Sequence, residues 1–497
     1  MRKFRVPSWL PGSKHAVNGT ADADEKSTRK SLSKVKSQEE PQIKQNGASS
    51  NPGSHLSSES RMVMLAEKIR IETEKLDAYL KLNGLPEPGF EANAPADFSD
   101  LPKEIQKSRR EIIFATKELS SLASGPAETL RWTAWNCLDS LSLQIINDYG
   151  IAKLVPVETP IALAELQTKT TLDPVNLARV LRHAMTNRIF QEPSPGFIAH
   201  TAASRLLAED QTAQDWVGFN CEEVFPASGH VLQALREHPE AISLDHTGFN
   251  YAFGTQGQEP MFVTLGKNPV RAKRFGGAMA NLTGGEGYEV SYLVDNCDLS
   301  AIDEKGGTFV DIGGSHGFVT VELARRWKKT KFIVQDLPKT VESAPKPICE
   351  DEAVSSRIKF QTHDFFKEQP VKDADAYFFR WIIHNYSAAY AVAILRNLIP
   401  ALKPGARIII SEHCLLEPGQ ENPWDEKLMR GMDMVMMALL NAEERDERGF
   451  RKLFETADAR FEFKGVQRVE NCRMSVVEAV WNPERIEAEK TAEDESS

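Results

Sequence analysis

Between Arg61 and Tyr149 the apolar positions recur at helical spacing. Leu65, Ile69, Leu76 and Leu80 share one face of a helix ending before Gly84 and Pro86. A second helical block spans about Lys103 to Leu122. A third runs from about Ala127 to Tyr149, where Trp132, Trp135, Leu138, Leu141 and Ile145 repeat at near-helical intervals. The Pro-, Ala- and Asp-rich stretch from Pro86 to Ser99 reads as a linker. From Thr159 the elements shorten: a helix from Pro160 to Leu166, then one from Asp173 to Asn187 with Pro174 at its first position. Two short strands follow, around Arg188 to Gln191 and Gly196 to His200, joined by Pro193 to Gly196. Helix, helix and hairpin outline a winged helix. Residues 203 to 300 read as helical connections whose Trp216, Phe249, Tyr251, Phe253, Met261 and Met279 fill core, some of them lining a pocket.

Beyond residue 300 the pattern becomes short β-rich runs, each delivering polar residues at its end. Thr308 to Ile312 leads into Gly313, Gly314, Ser315, His316 and Gly317, and Val319, Leu323 and Ala324 continue as a helix. Glycines let a backbone turn approach a ligand closely, and the first amides of the helix favour electronegative groups. Asp311 and this turn form one wall of a pocket. A second strand, Lys331 to Gln335, delivers Asp336, 23 residues after Gly313, where a carboxylate accepts from both ribose hydroxyls of a nucleoside, with Leu337 beside the base. Further strands are expected over Arg357 to Phe360, Ala374 to Phe379 and Ala406 to Ile410, the first of them followed by Asp364 and Phe365. An open sheet binds ligands beyond its carboxyl edge, so the set points to an adenosine-containing ligand. The turn reads DIGGSHG, an imperfect match to the dinucleotide GxGxxG, and no GxxxxGK[ST] phosphate loop occurs.

The 497 residues imply two to four domains. A net charge of -11 works against phosphate backbones and anionic lipid. The helix that would have to read a groove offers only Arg179, Arg182, His183 and Arg188 amid apolar neighbours, so dimerisation or packing is the better reading of the winged helix. Six cysteines without CxxC pairs argue against a disulfide framework or structural zinc. No apolar run approaches the ~20 residues of a membrane span, and the expected location is cytoplasmic. Residues 1 to 60, which carry ten Lys or Arg against six Asp or Glu and no apolar period, are expected to be disordered. Their loose basic stretch, Lys26 to Lys36, is either a localisation arm or a solvated tail. The last fifteen residues are an acidic tail.

The segments FVDIGGSHGFVTVELA, FIVQDLP, HDFF, YFFRWIIHNY, ALKPGARIIISEHCLL and DMVMMALLNAEERDERGFRKLF, in that order, together with EPSPGFIAHTAASRLLA upstream, closely resemble a fungal-type S-adenosylmethionine-dependent O-methyltransferase, related to the plant caffeate and flavonoid enzymes. The resemblance covers about residues 61 to 482. It implies an α/β fold: a helical, winged-helix dimerisation domain (61–235), a helical connection contributing to the substrate pocket (236–300), and a Rossmann-like catalytic domain (301–482). The partner of a homodimer would help close the pocket. By the same resemblance the cofactor is S-adenosyl-L-methionine, contacted by Asp311, Gly313, Gly314, Gly317, Asp336, Leu337, Asp364, Phe365 and Arg380, the last standing where the family often has Lys. His384 is similar to the catalytic base, and Glu412 and Glu444 resemble the acidic residues that orient it or flank the substrate. The sequence reads HNY where the plant enzymes commonly have HDW, which places Asn385 and Tyr386 beside that base.

These roles make chemical sense. Methyl transfer from a sulfonium demands in-line positioning of a nucleophilic oxygen, and an imidazole can take a phenol's proton at neutral pH; no metal is required. The expected substrate is therefore a hydroxyl, phenolic in the first instance, on an aromatic or polyketide secondary metabolite. Met432, Asp433 and Met436 are the expected substrate-facing residues, although the Met-rich run there reads equally as core. The competing readings are a non-catalytic cofactor-binding subunit and methyl transfer to nitrogen or carbon on the same scaffold.

Overall fold

A computed structural model describes residues 59–98 and 101–485. The expected disordered segment before Glu59 and nearly all of the acidic tail lie outside the described residues. The first helix, Arg61–Leu82, opens at Ser60, whose hydroxyl accepts the Val63 N–H. It packs along the helix Lys103–Trp135, burying Leu76 and Leu80 against Leu101, Ile105 and Ile112. That second helix is broken where the sequence indicated, at Gly125, whose φ of 73° no helix accommodates, and it resumes through Pro126. The third expected helix is interrupted at Asn136 before Cys137–Asp148.

Strand β1 (Ile161–Ala162) occupies the start of the expected 160–166 helix, which instead covers Leu163–Thr168. The helix Pro174–Thr186 starts at Asp173, which caps the N–H groups of Val175 and Asn176. It turns Leu177, Val180, Leu181 and Ala184 into a core with Ile146, Leu166, Phe190 and Ile198. Strands β2 (Gln191–Ser194) and β3 (Phe197–Ala199) form the hairpin, and β1 adds to β3, giving an antiparallel sheet in the order β1–β3–β2. Arg182, one of the few basic side chains on this helix, is forked onto Glu192 at 2.9 Å.

The second half is built on a seven-stranded sheet. In chain order its strands are β4 (Thr308–Ile312), β5 (Lys331–Asp336), β6 (Ile358–Thr362), β7 (Ala376–Arg380) and β8 (Arg407–Glu412). Two-residue strands β9 (Cys414–Leu415) and β10 (Arg445–Asp446) pair in parallel outside it, and β11 (Phe461–Arg468) and β12 (Ser475–Trp481) complete it. The spatial order is β11–β12–β8–β7–β4–β5–β6, with β12 alone running against its neighbours. The two last strands had no counterpart among the expected elements: β11 reads FEFKGVQR, a half-exposed edge strand whose charged residues dilute its apolar signal.

Alternation along the strands divides the core between the two faces of the sheet. Val310, Tyr377, Phe379, Ile408 and Ile410 pack against the helices Ala388–Leu398 and Glu447–Ala457. Phe309, Phe332, Phe378 and Ile409 pack against Phe318–Arg326 and Leu293 to Ile302. The helix Pro423–Leu440 leaves this half and packs against Phe225–Glu237 and Gly248–Phe253, and the described residues from Glu59 to Arg485 belong to one compact unit. No helix among the described residues is long and apolar enough to cross a membrane.

Candidate active site

In the sheet β4 lies between β5 and β7, so the chain leaves its carboxyl end at the point where strand order reverses, the position at which open α/β sheets bind ligands. The glycine turn after β4 is forced by space as well as by dihedral. Gly313 has φ 74°, and a Cβ there would stand 2.5 Å from Cδ1 of Ile382; a Cβ on Gly314 would meet the Asp311 carboxylate at the same distance. Asp311 is buried, accepts the Thr320 hydroxyl at 2.6 Å, and is raised to about 6, chiefly by burial. Asp336, at the end of β5, accepts one backbone N–H on each oxygen: Ser315 of the glycine turn at 2.9 Å and Leu337 at 2.7 Å. Each oxygen keeps a further lone pair. Leu337 is exposed, Asp364 accepts the Phe366 N–H, and the Phe365 ring edge reaches the Gly313 position.

Arg380 closes β7. Its guanidinium donates to the Ser411 hydroxyl and the Tyr288 carbonyl, while its buried Nε has no hydrogen-bond partner among the described residues. Burial lowers its pKa, with Asp311 among the charges that oppose this.

After Arg380 the chain reverses at Trp381 (φ 57°) and enters a tight 3₁₀ turn, Ile383–Asn385, that carries His384. Three side chains hold this turn. Glu412, at the end of β8, accepts the N–H groups of Ile382 and Ile383 at 2.9 and 2.6 Å. Arg445 donates to the carbonyls of Ile383 and Tyr386 at 3.1 and 2.6 Å. Asn385 donates to the Trp381 carbonyl at 2.8 Å, so the residue that departs from HDW serves the turn itself.

Glu444 meets His384 directly, Oε1 to Nδ1 at 2.8 Å, with both side chains buried. A hydrogen held on Nδ1 by this carboxylate leaves the lone pair on Nε2. Burial pushes His384 down, and the carboxylates of Glu444 and Glu412 more than offset it, so the imidazole stands above its ordinary value. The two glutamates are driven apart: Glu412 is raised, by burial and then by Glu444's like charge, while Glu444 is lowered by His384 and His413 against its own burial.

The structure thus brings Glu412 and Glu444 to His384 by different routes, one through backbone and one through the ring. Of the expected pocket residues, Met436 is buried in the helical core with Phe219 and Phe249, and Met432 lies at that core's half-buried margin. Asp433 accepts the Glu444 N–H on Oδ1 at 2.8 Å, which supports the backbone of the acidic residue. Sequence reasoning passed over His413 and Tyr288. The imidazole of His413 lies 3.6 Å from Glu444 and 3.0 Å from the Tyr288 hydroxyl. A His directly after Glu412 was the available signal; nothing in the spacing points to Tyr288.

The chain matches the O-methyltransferase domain model over residues 233–460. It is 61% identical over 482 residues to a chlorophenol O-methyltransferase of Trichoderma longibrachiatum, spanning 97% of this chain and all of that protein. It is 36% identical over 428 residues to the O-methyltransferase gsfB of Penicillium aethiopicum, spanning 86% of this chain and all of that one. Among solved structures OxaC superposes with a TM-score of 0.66 at 21% identity over 85% of this chain and all of its own, a likeness of fold.

Gly313→Ala is expected to cost about 1–3 kcal/mol from the left-handed backbone alone, and to push Ile382 against the His384 turn. The midpoint of urea unfolding should fall; a midpoint at or above the parent's would contradict the crowding.

Proposed function

Since the chain belongs to the fungal S-adenosylmethionine-dependent O-methyltransferases, we propose that it methylates the hydroxyl of a phenolic secondary metabolite or related aromatic, with His384 as the general base. The buried His384–Glu444 contact carries this reading. A phenol is a weak nucleophile until its proton leaves. His384 Nε2 takes that proton, and Glu444 stabilises the imidazolium that results. Glu412 and Arg445 fix the turn so that the ring meets the hydroxyl in one orientation. S-adenosylmethionine, when bound, supplies an electrophilic methyl carbon whose departing sulfur keeps the bonding electron pair. Activity on a phenol also accords with the name of the Trichoderma relative; electron-withdrawing chlorines acidify a phenol and ease the same proton transfer.

The residues present fit that cofactor. Asp336, Leu337, Asp364 and Phe365 would hold its ribose and adenine, and Asp336 retains lone pairs for both hydroxyls. The glycine turn from Gly313 to Gly317 would admit the methionine portion, and the unpartnered Nε of Arg380 suits its carboxylate. Asp311 would act from behind the turn through Thr320.

We read the hairpin and the Pro174–Thr186 helix as a winged helix within a dimerisation domain spanning about 61–235. Its support is an exposed apolar face: Leu130, Trp132, Trp135, Leu138 and Leu141 sit on consecutive helices, the two indoles edge to face at 6.1 Å. A second copy would bury them and help close the substrate pocket. Six cysteines held as thiols suit a reducing, cytoplasmic setting.

Three outcomes follow. With a chlorophenol as substrate, His384→Ala should lower turnover about a hundredfold or more while calorimetry shows S-adenosylmethionine binding kept; near-parental turnover would remove the base. Asp336→Ala should weaken that binding about tenfold or more, and unchanged affinity would refute the ribose contact. The double substitution Trp132→Glu, Trp135→Glu should halve the mass seen by sedimentation equilibrium, and a parent already monomeric would dispose of the dimer.

A further inference from the structure

Glu444 faces two imidazoles. Besides the 2.8 Å contact with His384, its Oε1 lies 3.6 Å from Nδ1 of His413, a side chain with no exposed surface. The proximity is built into the topology: the parallel pairing of Cys414 with Arg445 and Leu415 with Asp446 sets the residues just before them, His413 and Glu444, side by side. On its other nitrogen, His413 meets the hydroxyl of Tyr288 at 3.0 Å. The Glu444 carboxylate can only accept, which leaves Nε2 of His413 to accept from the Tyr288 hydroxyl, a group whose pKa burial pushes up. The ring hydrogen of His413 then belongs on Nδ1, facing Glu444. Two buried atoms at this gap, His413 Nδ1 and Glu444 Oε2, have no hydrogen-bond partner among the described residues. A small swing of the carboxylate would satisfy both.

We propose that His413, oriented by Tyr288, is a positioning residue for methyl transfer: it offers Glu444 a second imidazole N–H and so limits how tightly that carboxylate holds His384. The inference rests on His384 being the base. A base must give up its proton between turnovers, and a buried carboxylate devoted to one imidazole would retain the imidazolium. Sharing the carboxylate tempers that grip. Other charges face the trio. Glu412 from β8 and Arg445 from β10 act on His384, Glu443 from the loop before β10 acts on Arg445 and Asp433, Asp433 from the Pro423–Leu440 helix accepts the Glu444 N–H, and Arg473, Asp425 and Cys472 act on Tyr288. None of them stands between Glu444 and the two rings in hydrogen-bond contact with both.

The test compares three variants of the full chain, Tyr288→Phe, His413→Gln and His413→Asn. The amide nitrogen of Asn stands near the place of Nδ1 and keeps a donor to Glu444; that of Gln stands near Nε2 and does not. The His384 titration is followed by histidine-labelled NMR, its signal assigned by loss in His384→Ala, and the acid limb of kcat/KM is followed with a chlorophenol. In Tyr288→Phe and His413→Gln both should move to higher pH, by about half a unit or more, with kcat reduced, the KM for S-adenosylmethionine unchanged, and His413→Asn restoring the parental values. An unmoved His384 titration in Tyr288→Phe, which removes a single oxygen and keeps the packing, would overturn the proposal. So would Asn shifting it as far as Gln. Failure of the base itself is read separately, as parental turnover in His384→Ala.

Discussion

The Glu444 carboxylate sits in the interior with no exposed side-chain surface, and the architecture around it has to make that tolerable. Stripping a carboxylate of water costs several kcal/mol unless partners replace the water. Here the replacement is an imidazole ring hydrogen at 2.8 Å, with a second imidazole further off. Because like charge is close by, the pair cannot be arranged arbitrarily. Glu412 is also fully buried, and two ionised carboxylates so near each other raise one another's pKa. The structure separates them by assignment. Glu444 takes the ring of His384 and stays ionised; Glu412 takes two backbone N–H groups and is pushed toward the neutral form. Carboxylates whose environments drive their pKa values apart serve different tasks. Here one sets the charge state of His384 and the other sets its place.

That placement is a product of strand register. Arg380 pairs with Ser411 across β7 and β8, so the residues immediately after each, Trp381 and Glu412, emerge at the same edge. The reversal at Trp381 then brings the following amides onto the Glu412 carboxylate. The β9–β10 ladder supplies Glu444 from a segment far later in the chain. The glycine turn after β4 stands next to this edge because β4 and β7 are neighbours, and Ile382 fills the space that a side chain on Gly313 would need. The glycine turn and the His384 turn are therefore in van der Waals contact through one isoleucine.

Much of this was legible in the sequence, for identifiable reasons. The strand–glycine turn–helix at Thr308 to Ala324 combines a β-rich run, a glycine cluster and a helical repeat, all local signals, and the structure has them at those places. The helix break at Gly125 falls in the gap between the two helical blocks that the apolar repeat separates, one ending at about Leu122 and the next starting at about Ala127. The edge strand β11 was not, since its charged, half-exposed sequence is stabilised by pairing with β12 rather than by its own pattern. Resemblance brought His384, Glu412 and Glu444 forward together, but their division of labour depends on contacts across 29 to 60 residues of chain. Tyr288 is 125 residues from its partner His413, and no periodicity announces such a contact. For Met436 the sequence left pocket and core open for a similar reason: what a methionine faces depends on what lies opposite, here Phe219 and Phe249 of the helical half.

Asp433 and Met436 belong to one helix and have different partners. Met436 anchors Pro423–Leu440 in the core of the helical half, while Asp433, three residues earlier, grips the backbone N–H of Glu444. Residues three apart on a helix share a side, so the helix cannot turn in its core without moving the carboxylate's attachment. Glu444 in turn is held to His384 at a distance where a few tenths of an ångström alter the hydrogen bond. The packing of the helical half thereby reaches His384 through a rigid element, without any of its side chains having to touch the imidazole. Packing around Phe249 and Ala227 is thus linked to the His384–Glu444 contact by way of geometry, across the boundary between helices and sheet.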